Sequence, residues 1–265
     1  MTTKKPEAAA STAVAAYGEE FQGRGFENTT AADFSVPFLS VLQDGSPQVK
    51  ENKEEYIEGA KPGMFFNTVT LELMSAPVFF IPCYTEHMYV EWKPRDSGGG
   101  FVDTHGLDSP AAKWAKANCK FGKFKTEPGN DLVETFYVYG MILPSVDALE
   151  GKEMLVLAFT STKISRYKKA MSLMRTVKGA PPLFAFRLKL ETSFHESDKG
   201  DYWNIEVGPA VGEKYQDCLI APEGDGMALL GSGDELRGQV VSGVARAAHE
   251  TQGGSGQAPK DDTPF

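Results

Sequence analysis

The sequence predicts a mostly β fold of the α+β class, and two features of the chain lead to that prediction. Between residues 63 and 162, four segments rich in Val, Phe, Tyr and Thr follow one another, bounded by Pro and Gly. This composition is typical of β-strands. One helical pattern and two further strand patterns come after them. With 265 residues, of which 41% are apolar, the chain is long enough to bury a core.

The first four strand segments are residues 63–73, 76–92, 131–144 and 153–162. A helix is predicted next, over residues 165–177, because this stretch contains neither Gly nor Pro. Apolar residues recur there every three to four positions, at Ile164, Tyr167, Met171 and Met174. Two more strands, residues 183–194 and 201–208, are joined by the turn-rich residues 195–200, which predicts a hairpin.

This order of strands, one helix and a hairpin suits a small antiparallel Greek-key barrel of the OB type, in which a helix lies between the third and fourth strands. A β-sandwich with an incidental helix is the alternative. Residues 31–45 are expected to form either a short helix or an extended segment interrupted at Pro37. The sequence further predicts four regions: a flexible arm at 1–30, the barrel at 31–210, short helices packed on the barrel at 211–249, and a flexible tail at 250–265.

Composition limits the class of protein. No apolar run approaches the roughly 20 residues that a membrane-spanning helix needs, and residues 1–16 contain no apolar signal-peptide core. The three cysteines are an odd number and argue against a secreted disulfide scaffold. We therefore expect a cytoplasmic protein with no membrane partner. The 27 Lys and Arg against 36 Asp and Glu give a net charge of -9, which by itself argues against a nucleic-acid partner.

The positive charges are concentrated in two places, and this reverses the last conclusion. Residues 111–125, the first basic block, contain five lysines and no acid. Residues 163–178, the second basic block, contain six basic residues and no acid. The rest of the chain therefore carries a net charge of -20. Because local surface potential governs the binding of a polyanion, the two blocks favour a nucleic-acid partner.

Aromatic residues accompany these cations, and a triple-glycine loop at residues 90–106 adds more of both. Proteins that bind single-stranded nucleic acid without sequence preference combine cations for the phosphates with aromatic rings for the bases. The predicted contacts to single-stranded DNA are Trp92, Lys93, Arg95, Phe101, Lys113, Trp114, Lys116, Lys120, Phe121, Lys123, Phe124, Lys125, Lys163, Arg166, Tyr167, Lys168, Lys169, Arg175 and Lys178. The alternatives are a solvated lysine-rich loop anchored by its rings and the ordinary solvated face of an amphipathic helix.

No catalytic site, metal site or cofactor is predicted. Glu91 and Lys93 match half of a metal-dependent nuclease signature, but no aspartate that could complete it occurs between Asp44 and Asp96. A zinc site is formally possible at four loosely spaced residues, Cys83, His87, His105 and Cys119. The glycine-rich segments match neither of the common phosphate-binding loop patterns. A nuclease remains an alternative function.

The chain ends in a Gly-, Ser- and Gln-rich linker followed by the residues Asp261, Asp262, Thr263, Pro264 and Phe265. Core packing does not explain a terminal Phe at the end of a polar linker. Such a tip can insert its ring in an apolar pocket while its carboxylate meets a cation. At these residues the sequence resembles the single-stranded DNA-binding proteins of bacteria and their phages, whose acidic tails end in Pro-Phe or in a terminal Phe. The body looks most like the replicative members from tailed phages.

The resemblance implies a non-sequence-specific single-stranded DNA-binding protein of DNA replication, recombination and repair that performs no chemistry. It also implies that the tail recruits replication or recombination proteins. Phe265 would be the anchor, preceded by Pro264, and Asp261 and Asp262 would contact a basic rim. A phage structural or assembly protein is a further alternative, and a homodimer fits the sequence as well as a monomer.

Overall fold

A computed structural model of the chain describes residues 35–248, apart from residues 152, 198 and 199 and the side chain of Arg95. Most of the regular structure in this part is β, mainly in antiparallel sheets, and three α-helices accompany it. The predicted α+β class is therefore confirmed. No helix in this part is both long and apolar enough to cross a membrane. The predicted arm at residues 1–30 and the tail at residues 250–265 lie outside the described residues.

A six-stranded antiparallel sheet dominates the fold. Its strands are β5 (Val78–Trp92), β6 (Phe101–His105), β7 (Asp131–Leu143), β8 (Glu153–Thr160), β9 (Leu188–His195) and β10 (Tyr202–Pro209). The strand order is β10-β9-β5-β7-β8, and β6 pairs with β5. The strand segments that the sequence predicts around residues 76–92, 131–144, 153–162 and 201–208 correspond to β5, β7, β8 and β10.

The central strand β5 joins two parts of the sheet. β7 pairs with β5 along almost its whole length, whereas β9 pairs only with its beginning and β6 only with its end. The register between β5 and β7 shifts between Pro82 and Tyr84, and such a bulge bends and twists a strand. One half of the sheet curls around a core. The other half is the antiparallel pair of β5 and β7, which we call the β5–β7 hairpin although residues 93–130 lie between the two strands in the sequence.

The curled half encloses a buried apolar cluster. Phe80, Val138, Leu157, Leu190 and Ile205, one from each of five strands, belong to this cluster. Helix α2 (Lys163–Arg175) packs Ile164, Tyr167 and Met171 against it, which confirms the predicted amphipathic helix two residues closer to the N-terminus. The remaining apolar contributions come from a three-stranded sheet of β2 (Leu39–Val41), β3 (Phe65–Asn67) and β4 (Leu73–Met74).

The segment before and after β2 occupies the gap between β8 and β10. Among the described strands, β8 and β10 form no ladder with each other, so the sheet does not close on itself. Instead, the Val156 N–H donates to the Pro37 carbonyl at 2.8 Å. On the other side, the Gln43 side chain accepts from the Trp203 N–H at 2.7 Å and donates to the Trp203 carbonyl at 2.9 Å. Residues 35–41 are thus extended, the second of the two conformations expected around Pro37.

Helix α3 (Asp225–Val241) covers the outer face of the sheet. Its Leu229 and Leu236 pack against Ile81 and Tyr139 of β5 and β7. The sequence predicts several short helices over residues 211–249, and the structure has a short 3-10 helix, Tyr215–Cys218, followed by this helix of 17 residues. Next to it, β1 (Ser35–Val36) pairs in parallel with β11 (Arg246–Ala247).

The sequence pattern predicts no regular element between residues 93 and 130, and two are present there. One is β6, and the other is helix α1 (Pro110–Asn118), which contains part of the first basic block. The hydroxyl of Ser109 caps α1 by accepting from the Ala112 N–H at 3.2 Å, and Pro110 occupies the first turn. Ala112 and Ala115 are buried against Tyr89 of β5, so packing on the sheet holds this short helix in place.

Candidate functional site

A cleft of about 610 Å³ opens on one face of the β5–β7 hairpin. Val90, Trp92, Val133 and Tyr137 lie along the hairpin side of the cleft. The triple-glycine loop borders it on one side, and residues 38–48 together with the end of β8 border it elsewhere. This volume is within the range of ligand-binding pockets in proteins.

The triple-glycine loop is an ordered turn that sets Lys93 at the cleft wall. Gly98, Gly99 and Gly100 all have positive φ angles, which residues with a side chain rarely adopt. The loop is closed by two hydrogen bonds, from the Lys93 N–H to the Gly100 carbonyl at 2.9 Å and from the Gly99 N–H to the Pro94 carbonyl at 3.1 Å. Immediately beside it, the rings of Trp92 and Phe101 pack edge to face with centroids 5.8 Å apart.

The charged residues that line the cleft leave it positive. Lys93 comes from the glycine loop, and Lys163 is the first residue of α2 and of the second basic block. Asp131 is the one acid along the described lining. Its carboxylate is paired with Lys125 at 2.6 Å. The cleft therefore combines a half-buried tryptophan with two lysines, and its one described carboxylate is paired with Lys125.

The opposite face of the hairpin brings the two basic blocks together. His87 and Tyr89 of β5 point to this face because they are two residues apart, and their partners across the strands are Phe136 and Glu134. The Lys168 Nζ of the second block lies 5.3 Å from the Phe136 ring centroid. The Lys116 Nζ of the first block lies 5.7 Å from the Tyr89 ring centroid. We call this surface, formed by His87, Tyr89, Glu134, Phe136, Lys116 and Lys168, the basic face.

Aromatic contacts fix the rings of the basic face. The His87 ring stacks on Phe136 with centroids 3.9 Å apart, and its Nε2 lies 3.0 Å from Glu134 Oε1. Tyr167 of α2 packs against the same Phe136 ring with centroids 4.6 Å apart. Burial and the nearby Glu134 carboxylate raise the pKa of Tyr89. Both lysines of this face therefore lie over neutral rings.

The rings of the first basic block divide into two groups. Trp114 and Phe124 are half-buried and pack against the cluster of Tyr89 and Leu132, as the anchoring alternative expects. Phe121 is 88% exposed and touches Phe124 edge to face at 6.0 Å. All five lysines of this block, Lys113, Lys116, Lys120, Lys123 and Lys125, are exposed. The contact with Phe124 leaves the Phe121 ring largely exposed among these lysines.

The second basic block also divides. Arg166 is paired with Glu206 of β10 at 3.0 Å, and Tyr167 belongs to the core. The exposed cations of this block are Lys168, Lys169, Arg175 and Lys178. Arg95 lies in the short turn Arg95–Ser97 beside the cleft. The predicted tail contacts Asp261, Asp262, Pro264 and Phe265 lie outside the described residues.

Glu91, the acid of the nuclease alternative, is a buried anchor. Its Oε2 lies 2.7 Å from His105 Nε2, and its Oε1 accepts from Asn130 at 2.7 Å and from Thr126 at 3.0 Å. Burial alone would raise the pKa of Glu91, but the hydrogen bonds from Asn130, His105 and Thr126 outweigh it and lower the pKa. The carboxylate therefore holds β6 and residues 126–130 to the end of β5.

The cysteine and histidine residues do not assemble into a metal site. Within the part of the chain that the structure describes, no three His, Cys, Asp or Glu side chains are grouped so that they could hold a metal ion. Cys83 is buried in the core, and this burial, only partly offset by a backbone hydrogen bond, raises the pKa of its thiol to about 12. His87, the residue four positions later, instead stacks on Phe136.

Four hairpin residues of the basic face, His87, Tyr89, Glu134 and Phe136, were not among the predicted contacts. The signal that could have found them is the alternation in β5 and β7, which places aromatic and polar residues on one face of each strand. The alternation alone does not show that α1 and α2 place lysines over the rings of this face.

Comparison with known proteins gives one match. A family model described as Pam3 phage gp34-like protein matches residues 5–214, which is more than half of the chain. No curated protein and no solved structure shows significant similarity to the chain. The description of the family names a phage and no activity.

Proposed function

The chain belongs to the Pam3 phage gp34-like protein family, and we propose that it is a non-sequence-specific single-stranded DNA-binding protein. The observation that carries the proposal is the cleft, whose lining includes Trp92, Lys93 and Lys163, the first residue of the second basic block. Unpaired bases would stack on the tryptophan, and the lysines would contact phosphates. Base–aromatic stacking contributes about 1 to 3 kcal/mol per base and tolerates any sequence.

The connectivity of the sheet supports the same proposal. The meander β5–β7–β8, the helix α2 and the hairpin β9–β10 returning to the start of β5 follow the order of a five-stranded OB barrel. We propose an OB-type barrel in which the segment around β2 lies between β8 and β10, where the third and fifth strands of a closed barrel would pair with each other. OB barrels bind oligonucleotides on the face of their second and third strands, which are β7 and β8 in this scheme. The cleft is lined by residues of both strands.

We further propose that the protein acts in phage DNA replication, recombination and repair, in the cytoplasm of the bacterial host. In this proposal it performs no chemistry and protects unwound strands. Its C-terminal residues, from Asp261 to Phe265, would recruit replication or recombination proteins. The resemblance of these residues to acidic Pro-Phe tails supports this part.

Tryptophan fluorescence tests the proposal directly, because only one of the three tryptophans lines the cleft. Titration with oligo-dT should quench the emission of the wild-type protein, since a stacked base quenches the indole beneath it. Trp92→Phe should remove most of the quenching, because the indole is lost, but it should weaken binding by less than the about 1 to 3 kcal/mol per base that removal of the ring would cost, because phenylalanine still stacks. The matched control is Trp114→Phe, in the first basic block, which should retain the quenching.

Two results would contradict the proposal. One is equal affinity for duplex and single-stranded DNA of the same length. The other is quenching that survives in Trp92→Phe and disappears in Trp114→Phe, because the bases would then stack away from the cleft.

A further inference from the structure

Where β7 separates the cleft from the basic face, a short stretch of one edge has no partner among the described strands. β8 pairs with β7 only from Thr135 onward. At the beginning of β7, the neighbouring chain is Phe124 and Lys125, which hydrogen-bond to Leu132 and bridge to Asp131. Among the described strands, none pairs with Val133 or Glu134 on that edge. We call this short stretch of edge the notch.

Both elements that flank the notch carry cations, and both reach the two faces. On one side, Lys125 pairs with the cleft residue Asp131, while the adjacent Phe124 packs against Tyr89 of the basic face. On the other side, α2 begins at Lys163 in the cleft and places Lys168 over Phe136 on the basic face. Five residues of helix span only about 7.5 Å. The distance between the two surfaces is therefore short on this side.

Acids along this route already have partners. Glu134 is paired with His87, and Asp131 is paired with Lys125. Glu91 is buried among three hydrogen-bond partners. In contrast, no described acid pairs with Lys116 or Lys168, whose contacts are aromatic rings and the Leu107 carbonyl. A polyanion that followed the route would meet Lys116 and Lys168, which none of the described acids neutralises.

We propose that one single strand of DNA contacts both faces of the hairpin by passing through the notch from the cleft to the basic face. The bases stack on Trp92 in the cleft, and Lys116 and Lys168 contact phosphates on the far side. Phe121, exposed within the first basic block, is the stacking platform of the second segment. This path rests on the proposed function and extends it, because it predicts a binding site longer than the cleft.

A length series of oligo-dT tests the path, from about 4 to about 16 nucleotides, the range of site sizes per OB-type barrel. The double variant Lys116→Gln/Lys168→Gln should bind the shortest oligonucleotides like the wild type. Its affinity for the longest should fall on the order of tenfold at low salt, and the log-log salt slope should become shallower by about 1.4, or 0.7 per lost phosphate contact. The matched control is Lys61→Gln/Lys214→Gln, which removes two exposed lysines that line neither surface and should change neither quantity.

Photocrosslinking gives the second measurement. Oligo-dT with one 5-iododeoxyuridine near either end should crosslink Trp92 from one end and Phe121 from the other. The path is wrong if the lysine double variant binds all lengths like the wild type, or loses affinity equally for short and long oligonucleotides. Wild-type protein that binds no single-stranded DNA at any length would instead overturn the proposed function itself.

Discussion

The two faces of the β5–β7 hairpin are built differently although they share the same two strands. On the cleft face, Trp92 and apolar residues dominate, and two lysines stand at the margin. On the basic face, lysines from two helices lie over rings that are themselves stacked or buried. The comparison teaches that one face is suited to bases, whose binding depends on stacking, and the other to phosphates, whose binding depends on charge.

The largest expected effect breaks both faces at once. Gly140 of β7 lies opposite the bulge of β5, and a Cβ at this position would overlap the Ile81 carbonyl and the Phe80 ring. Because a backbone carbonyl cannot move aside, Gly140→Ala should lower the free energy of unfolding by about 3 kcal/mol. DNA binding by the cleft and by the basic face should weaken together. Urea unfolding and oligo-dT titration measure the two effects.

The same substitution on α3 is the control. Gly231 has open space where a Cβ would be added. Gly231→Ala should therefore raise the free energy of unfolding by about 0.5 to 1 kcal/mol, because alanine favours a helix more than glycine. If both alanine variants had the same stability, the close packing of β5 on β7 would be refuted.

The origin of these two faces separates what local sequence can predict from what it cannot. β5, β7, β8 and α2 follow from local patterns, since β-branched and aromatic runs and the three- to four-residue spacing are properties of single segments. Helix α1 had a local signal as well, the Ser109-Pro110 start. However, its lysines made the segment look like an exposed loop, and its buried side consists of only two alanines, Ala112 and Ala115. No local signal indicates that the two basic blocks lie on the same face, because this depends on the strand pairing that brings His87 next to Glu134, 47 residues away.

The sheet closure was unpredictable for a similar reason. Gln43 and Trp203 are 160 residues apart, and the Gln43 side chain hydrogen-bonds the backbone of β10 where a neighbouring strand would otherwise pair with it. Nothing in the residues that surround Gln43 in the sequence indicates this contact. Likewise, Glu91 matches part of a nuclease signature, and only the three donors around it identify it as an anchor.

The second expected effect is on the support that the two faces share. Glu91→Gln should lower the free energy of unfolding by about 2 kcal/mol at pH 7, since the amide N–H₂ of glutamine would face donors that the carboxylate satisfied. Folding lowers the pKa of Glu91, so its contribution is complete above the ordinary carboxyl pKa and is lost as the pH falls through the lower folded pKa. The stability difference between wild type and variant should therefore shrink in acid.

Glu134→Gln is the matched control for Glu91. It makes the same chemical change on the same hairpin, but Glu134 is partly exposed, and its ionic partner among the described residues is His87. The expected loss is at most about 1 kcal/mol. Denaturant unfolding at pH 7 and in acid measures both variants. If Glu134→Gln lowered the free energy of unfolding more than Glu91→Gln, Glu91 would not be the anchor of β6 and residues 126–130.

The smallest expected effect is on the charge of the cleft, and it distinguishes the influence of local charge on DNA binding from that of the total charge of the protein. Asp131→Asn removes the acid from the cleft and releases Lys125 for a phosphate, whereas Glu191→Gln makes the same change of total charge at a remote pair with Lys189. Asp131→Asn should strengthen oligo-dT binding about two- to threefold, as expected for one exposed ion pair, and the salt slope should steepen. Glu191→Gln should leave both unchanged. If the two variants strengthened oligo-dT binding equally, the net charge of the protein would be the cause. The position of the charges on the two faces would then have no effect on DNA binding.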